Sequence, residues 1–185
     1  AIKIFQALPF IHSKAHIIFN LNKESIALAC SSHAGEPMHL RVLNKWLKKI
    51  GILENTLLCG SHNPLDEKSS NQLLLNGKIP TQLHNNCAGK HLGMISGCIA
   101  YKIDIDKYTN FNHPYQKLIR EVLENFTQSK IQNNFYAIDG CNAPQYAFTL
   151  ANIASSMTNL IIEKNAKSTY SSSINTIIKS TVLMM

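Results

Sequence analysis

HNNCAGKHLGMISGC, residues 84–98, carries the strongest fold signal in this chain. Gly89, Gly93 and Gly97 recur every four residues and therefore share one face of a helix. Each glycine costs about 1 kcal/mol in helix propensity, a cost accepted where tight packing demands close approach of another backbone. The pattern predicts a central, buried helix that begins near Cys87 and follows a polar loop.

Amphipathic segments on both sides of this helix supply elements that can cover it. Pro37 opens a helix whose apolar positions, from Leu40 to Ile50, share one face, and Gly51 ends that helix. Pro114 opens a second amphipathic helix. We predict further helices at residues 4–8, ended or kinked near Pro9, at 150–162 and from about 174, with strand-like runs at 25–29 and 135–138.

Composition restricts the class of protein. The 185 residues, 45% hydrophobic and 16% charged, suffice for one sizeable core and exclude a disordered chain. No apolar run approaches the roughly 20 residues that span a bilayer, so we expect no membrane partner. The net charge of +7 is spread along the chain without a basic stripe, so we expect no nucleic-acid partner. Five cysteines without regular spacing indicate reduced thiols in a cytoplasmic protein.

Two cysteines and a lysine form the first candidate site. Cys87 lies at the start of the glycine-rich helix, where unpaired backbone N–H groups stabilise a thiolate, and Lys90 lies on the same face. Cys141, in a loop after a strand, can supply a second thiolate. The set indicates a polar site or an unusual metal site, since lysine binds a metal only after losing its proton. The alternative is a pair of buried structural thiols beside a surface lysine.

Other polar residues leave more than one interpretation. Ser32 follows a strand-like run, so its hydroxyl either stands at the end of a sheet or caps a turn. A Cys87 nucleophile with His84 or His91 as its base is a further hypothesis. Small core residues are predicted at Cys30, Cys59 and Cys98, and surface or loop residues at His12, His16, His39, His62 and His113.

Four segments, in this order, resemble the asparaginase II family of the rhizobial type. They are FQALP (residues 5–9), IALACSSHAGEP (26–37), HNNCAGKHLGM (84–94) and DGCNAP (139–144). The resemblance covers nearly the whole chain from Ala1 to about Ala154. It implies an α+β fold with a three-layer α/β/α-like arrangement, of the β-lactamase and serine-dependent glutaminase type, in which helices flank an antiparallel sheet. The implied activity is hydrolysis of L-asparagine to L-aspartate and ammonia.

The resemblance also implies roles for individual residues. Lys3 matches the lysine of the family's Ser-x-x-Lys motif, and Ser32 matches the serine of a second Ser–Lys tandem, so both are expected to be catalytic. A zinc ion is the implied cofactor, and its site matches Cys87, Lys90 and Cys141. The residues expected to bind L-asparagine or to support the site are His33, Asn85, Asn86 and Asp139.

Two further residues that the family motif requires fall outside the chain. The serine of Ser-x-x-Lys would stand immediately before Ala1, and the lysine partner of Ser32 would come after Met185. We therefore expect residues 1–185 to form a single partial domain, without its N-terminal strands and C-terminal portion, and to be inactive alone. The alternative is a non-catalytic remnant that binds metal through thiolates. L-Asparagine is the expected small-molecule partner, and a homodimer is left open.

Overall fold

The computed structural model describes residues 2–132 and 135–182, so the ends at Ala1 and Met185 lie outside the described residues. In that part of the chain, nine α-helices accompany one two-stranded antiparallel sheet. The elements are α1 (Lys3–His12), α2 (Ala15–Ile18), α3 (Lys23–Cys30), α4 (Pro37–Ile50), α5 (Glu67–Leu75), α6 (Ala88–Ala100), α7 (Pro114–Thr127), β1 (Tyr136–Ile138), β2 (Pro144–Tyr146), α8 (Leu150–Asn165) and α9 (Ser171–Val182).

The fold is rich in helix and compatible with the α+β class. The strand predicted at residues 135–138 is confirmed as β1, and it pairs with β2 so that Tyr136 lies opposite Tyr146. Over the described residues the sheet has these two strands, so the larger flanked sheet that the β-lactamase type implies stays a prediction. None of the helices described is both long enough and apolar enough to cross a membrane.

Helix α6 is the glycine-rich helix and lies at the centre of the molecule, as predicted. Every residue from Ala88 to Cys98 is buried, and the helix packs against α1, α2, α3, α4 and α7. Gly89 explains the close approach of α3, because a methyl group there would lie 2.6 Å from the carbonyl carbon of Leu28. Gly97 faces α7, where a methyl group would overlap the ring of Tyr115. The glycines therefore bring two different neighbours into contact with one helix.

Helix α4 confirms the prediction made for residues 37–51. Pro37 occupies its first turn, and Gly51 ends it in the left-handed conformation at φ 71°. Trp46 faces the core and is fully buried, and its indole N–H donates a hydrogen bond of 2.9 Å to the hydroxyl of Ser96 on α6. The predicted helix at 114 is likewise present as α7, and α8 and α9 confirm the two C-terminal helices.

The prediction of a strand at residues 25–29 is wrong, because these residues form helix α3. Asn22 caps this helix, and its side-chain oxygen accepts the N–H of Ser25 at 3.1 Å. A short apolar run cannot be assigned to strand or helix by periodicity alone. The cap and the contact with Gly89 of α6 decide in favour of helix.

One further expectation needs correction, and one helix was not predicted. Helix α1 does not end at Pro9 but continues to His12, since the buried contacts of its residues 5–11 outweigh the hydrogen bond that proline removes. The segment between α4 and the polar loop also contains α5, which begins with a cap in which Asp66 accepts the N–H of Ser69 at 2.7 Å.

The cysteine predictions are confirmed in outline. All five thiols are free. Cys59 and Cys98 are buried in the core, whereas Cys30 is half-buried. Burial raises the pKa of each of these three thiols to about 12, which keeps them protonated and unreactive at neutral pH.

Candidate functional site

A cleft of about 830 Å³ brings most of the predicted site residues together. It is formed where the start of α1, the turn after α3, the loop before α6 and the β1–β2 loop meet, and its volume suits a small-molecule ligand. The predicted residues that line it are Lys3, Ser32, Asn85, Asn86, Cys87, Asp139 and Cys141. His33 and Lys90 are absent from its lining and lie buried near it.

Lys3 and Ser32 are in direct contact. The Nζ atom of Lys3 lies 2.6 Å from the hydroxyl oxygen of Ser32 and donates a second hydrogen bond of 2.9 Å to the carbonyl of Ser31. Ser32 is exposed to the cleft, so a ligand can reach its hydroxyl. The hydroxyl stands just after the end of helix α3 rather than at the end of a sheet, which corrects the predicted setting.

Cys87 precedes the first turn of α6 and meets the same lysine. Its Sγ atom lies 3.4 Å from Nζ of Lys3. The Cys87 backbone N–H donates to the side-chain oxygen of Asn85 at 2.9 Å, and the Asn85 amide group donates to the carbonyl of Cys59 at 2.8 Å. Since both ends of the Asn85 amide are engaged by backbone, this residue supports the turn and holds Cys87 in place.

Lys90 and Cys141 form the second contact of the site. Lys90 is only 3% exposed, and its Nζ atom donates to the Sγ atom of Cys141 at 3.1 Å. The same amine lies 3.7 Å from a carboxylate oxygen of Asp139. Cys141 and Asp139 reach this position on the β1–β2 loop, where Asn142 takes the left-handed conformation at φ 63° and turns the chain back. The lysine that touches Cys87 is thus Lys3, and Lys90 pairs with the other thiol.

Cys87, Asp139 and Cys141 can hold a metal ion. Their ligand atoms all lie within 4.8 Å of one another. The neighbouring Cys141 thiol, helped by the charges of Lys90 and Lys3, lowers the pKa of Cys87 to about 6, whereas Cys87 and burial raise the pKa of Cys141 to about 12. Cys87 is therefore the more acidic of the two thiols. Two sulfurs with a carboxylate suit a borderline-soft cation such as Zn²⁺.

The histidines near the cleft have structural partners. His33 is buried, its Nδ1 atom accepts the N–H of Gly35 at 3.2 Å, and burial lowers its pKa to about 4. His62 lies in a loop, as predicted, and this loop lines the cleft, where the Nε2 atom of His62 accepts the N–H of Asn86 at 2.9 Å. No spacing signal could have found His62, because it lies 24 residues before its partner.

The histidines proposed as bases for a Cys87 nucleophile are engaged elsewhere. Nδ1 of His84 accepts the backbone N–H of Thr81 at 2.9 Å, and Nδ1 of His91 lies 2.7 Å from the hydroxyl of Tyr108. The sulfur of Cys87 instead accepts a hydrogen bond from the amine of Lys3. This geometry favours the Ser32–Lys3 pair over a Cys87–histidine pair.

A protein-family model matches the chain. The family model described as L-asparaginase II matches residues 1–183, which is nearly the whole chain. A search of curated proteins finds no match.

Proposed function

Because the chain belongs to the L-asparaginase II family, we propose that its cleft is the site at which L-asparagine is hydrolysed to L-aspartate and ammonia. The observation that carries the proposal is the 2.6 Å contact between the amine of Lys3 and the hydroxyl of Ser32. Lys3 lies on α1 and Ser32 lies just after α3, and they meet at an open cleft of a size that suits an amino acid.

The contact gives the first chemical step a physical basis. A serine hydroxyl is a weak nucleophile until a neighbouring base accepts its proton, and an amine in its neutral form can do so. Ser32 would then attack the side-chain amide carbon of asparagine and form an acyl-enzyme, while the amide nitrogen leaves as ammonia after taking up a proton. Water would release L-aspartate by attack on the ester, with the amine of Lys3 again accepting a proton.

The substrate would be held by polar groups around this pair. L-Asparagine carries an ammonium and a carboxylate, so each needs a fixed polar partner. The carboxylate of Asp139 is about 40% exposed on the cleft wall and suits the ammonium group. Asn86 also lines the cleft, and His33 and Asn85 hold the neighbouring loops through hydrogen bonds to backbone groups.

The donor set beside the pair fits the zinc ion that the family resemblance implies. Cys87 and Cys141 would hold the ion, with Asp139 near enough to contribute and Lys90 able to do so only after releasing its proton. When bound, such an ion can polarise a carbonyl oxygen or hold the loops of the site together. The protein residues keep their roles in either case: Ser32 attacks, and Lys3 moves the proton.

Two measurements on the purified chain test the proposal. The first measurement is saturable binding of L-asparagine and L-aspartate, followed by calorimetry and by the rise in melting temperature. The second measurement is turnover, followed by the release of ammonia. We expect both ligands to bind. Asp139→Asn should weaken both, because it removes the charge facing the ammonium group. The proposal is refuted if no form of the chain binds either ligand and none releases ammonia.

The role of Ser32 has a matched control in its neighbour. Ser31 contributes only its backbone carbonyl to Lys3, so Ser31→Ala should leave turnover within a few-fold of the parent. In a chain that releases ammonia, Ser32→Ala should lower the rate by at least about 1000-fold. That outcome would contradict the expectation that residues 1–185 are inactive alone, which stays a prediction.

A second candidate function is metal binding without catalysis, which the Cys87–Asp139–Cys141 group favours. In that case the chain binds about one zinc ion, Cys87→Ala and Cys141→Ala abolish the binding, and L-asparagine has no effect on the melting temperature. Ammonia release from L-asparagine by the zinc-free chain excludes this alternative.

A further inference from the structure

His62 is a half-buried residue of the cleft to which the proposed reaction gives no role. Its Nε2 atom accepts the backbone N–H of Asn86 at 2.9 Å. Its Nδ1 atom lies 2.6 Å from the carbonyl oxygen of Asn63, the next residue of its own loop. A single imidazole therefore bridges the loop that contains Asn63 and the loop that precedes α6.

The two partners of His62 determine which of its nitrogens carries the proton. A carbonyl oxygen only accepts hydrogen bonds, so Nδ1 carries a hydrogen atom that it donates to Asn63. A backbone N–H only donates, so Nε2 presents a lone pair to Asn86. These contacts assign a neutral imidazole that is protonated on Nδ1, and they fix its orientation.

The bond from Asn86 to His62 is one of three hydrogen bonds that join three loops of the cleft in a closed circuit. The backbone N–H of His33 donates to the carbonyl of Asn86 at 3.2 Å. The backbone N–H of Asp66 donates to the carbonyl of Ala34 at 2.9 Å. We call these three bonds the loop clamp. Two of them join backbone to backbone, and His62 supplies the side chain that closes the circuit.

The loop clamp connects the serine of the proposed reaction to the polar wall of the cleft. Ser32 immediately precedes His33, whose N–H is held by Asn86, and both Ser32 and Asn86 line the cleft. The loops are also packed closely, because a methyl group on Gly35 would lie 3.0 Å from the Cα atom of Pro64. The closed clamp therefore sets the position of Asn86 relative to the Ser32 hydroxyl.

We propose that His62 is a positioning residue of the asparagine site, which closes the loop clamp and thereby fixes Asn86 relative to the hydroxyl of Ser32. It acts through the backbone of Asn86 and needs no contact with the substrate. None of the three bonds of the clamp involves a residue of the candidate metal group. The inference rests on the proposed function, because it treats Asn86 as part of the substrate site.

Two polar substitutions separate the roles of the two nitrogens of His62. A glutamine carbonyl oxygen reaches about as far as Nε2, so His62→Gln can still accept the N–H of Asn86. An asparagine amide ends near the position of Nδ1, so His62→Asn keeps a donor for the Asn63 carbonyl and loses the bond to Asn86. His113→Leu is the matched control, because His113 also bridges two backbone groups, at the start of α7, and is absent from the lining of the cleft.

The first measurement is hydrogen exchange of the backbone amides, followed by NMR on the purified chain without ligand. In His62→Asn the amide of Asn86 should exchange at least about tenfold faster than in the parent, since its acceptor is lost. The amides of His33 and Asp66 should also exchange faster, because the circuit is open. His62→Gln and His113→Leu should keep the parental exchange rates at these three positions.

The second measurement is the affinity for L-asparagine by calorimetry. We expect about tenfold weaker binding in His62→Asn and an affinity within a few-fold of the parent in His62→Gln. His113→Leu should lower the melting temperature and leave the affinity unchanged, which separates positioning from a general loss of stability. In a form that releases ammonia, kcat/KM should fall by about 100-fold in His62→Asn, the size expected for a misplacement of about 1 Å.

Parental exchange rates or parental affinity in His62→Asn would overturn the inference, as would an equal loss of affinity in His62→Gln and His62→Asn. A matching loss of affinity in His113→Leu would also count against it. In each of these cases the parent still binds L-asparagine, so the proposed function stands. A parent that neither binds L-asparagine nor releases ammonia refutes the proposed function instead, while amide exchange still decides whether His62 closes the loop clamp.

Discussion

Replacing Gly89 by alanine tests whether the close contact between α3 and α6 positions the site. The added methyl group would lie 2.6 Å from the carbonyl carbon of Leu28 and closer still to its oxygen, and these backbone atoms cannot rotate away. Gly93 offers a matched control one turn further along α6. A methyl group there would meet the side chains of Ala29 at 3.4 Å and Phe10 at 3.6 Å, close to ordinary contact.

The two substitutions share one gain and differ in one cost. Alanine gains about 1 kcal/mol over glycine in helix propensity at either position. Forcing a methyl group against the Leu28 backbone should cost about 3 kcal/mol, the upper end for overpacking, because two helices must separate. Gly89→Ala is therefore expected to be about 2 kcal/mol less stable than the parent, and Gly93→Ala about 1 kcal/mol more stable. The difference of about 3 kcal/mol corresponds to roughly 6–12 °C in melting temperature.

Thermal and urea unfolding of the two variants measure this difference. The same displacement should disturb the site, because Gly89 lies between Cys87 and Lys90 while Leu28 lies four residues before Ser32. We therefore expect Gly89→Ala, but not Gly93→Ala, to bind Zn²⁺ and L-asparagine more weakly. Equal stability of the two variants would refute the reasoning that backbone contact at Gly89 joins α3 to α6.

Three further predictions concern single side chains. In the metal-free chain, alkylation of Cys87 by iodoacetamide should titrate with a midpoint near pH 6, and a midpoint near pH 9 would contradict the lowered pKa of Cys87. Burial lowers the pKa of His33 from 6.5 to about 4, so between these pH values the unfolded chain binds a proton that the folded chain does not. The free energy of unfolding should therefore fall by about 3 kcal/mol from pH 6.5 to 4. His33→Asn should lessen that fall in acid-unfolding curves. Trp46→Phe should cost about 1–3 kcal/mol in urea unfolding, and adding Ser96→Ala should cost little more; independent effects would contradict the hydrogen bond.

Local patterns predicted the helical frame well. The glycine spacing located α6, and proline and glycine punctuation located both ends of α4 to within a residue. Such signals work because caps and periodicity depend on residues within a few positions of one another. The error at residues 25–29 arose because this run is too short for its periodicity to distinguish a strand from a helix. Its contact with Gly89, which is distant in sequence, favours the helix.

The motifs also named most residues of the site but not their pairing. Cys87 and Lys90 are three residues apart and suggested a contact with each other, whereas Lys90 donates to Cys141, 51 residues away. Lys3 supplies the amine for both Ser32 and Cys87, at separations of 29 and 84 residues. His62 escaped notice because its role depends on a backbone N–H that belongs to another loop.

The amino-acid sequence by itself determined the family, the buried central helix and the residue types of the site. Each of these features depends on residues that are close together in the sequence, such as residues 84–94. Local periodicity or resemblance to a family is therefore enough to predict them. Only the tertiary structure decided which amine meets which oxygen or sulfur, and which histidine is held by Tyr108. The physical reason is that a polar contact between distant residues depends on how their segments pack in the folded chain. The glycines of α6 control that packing because they let neighbouring helices approach closely.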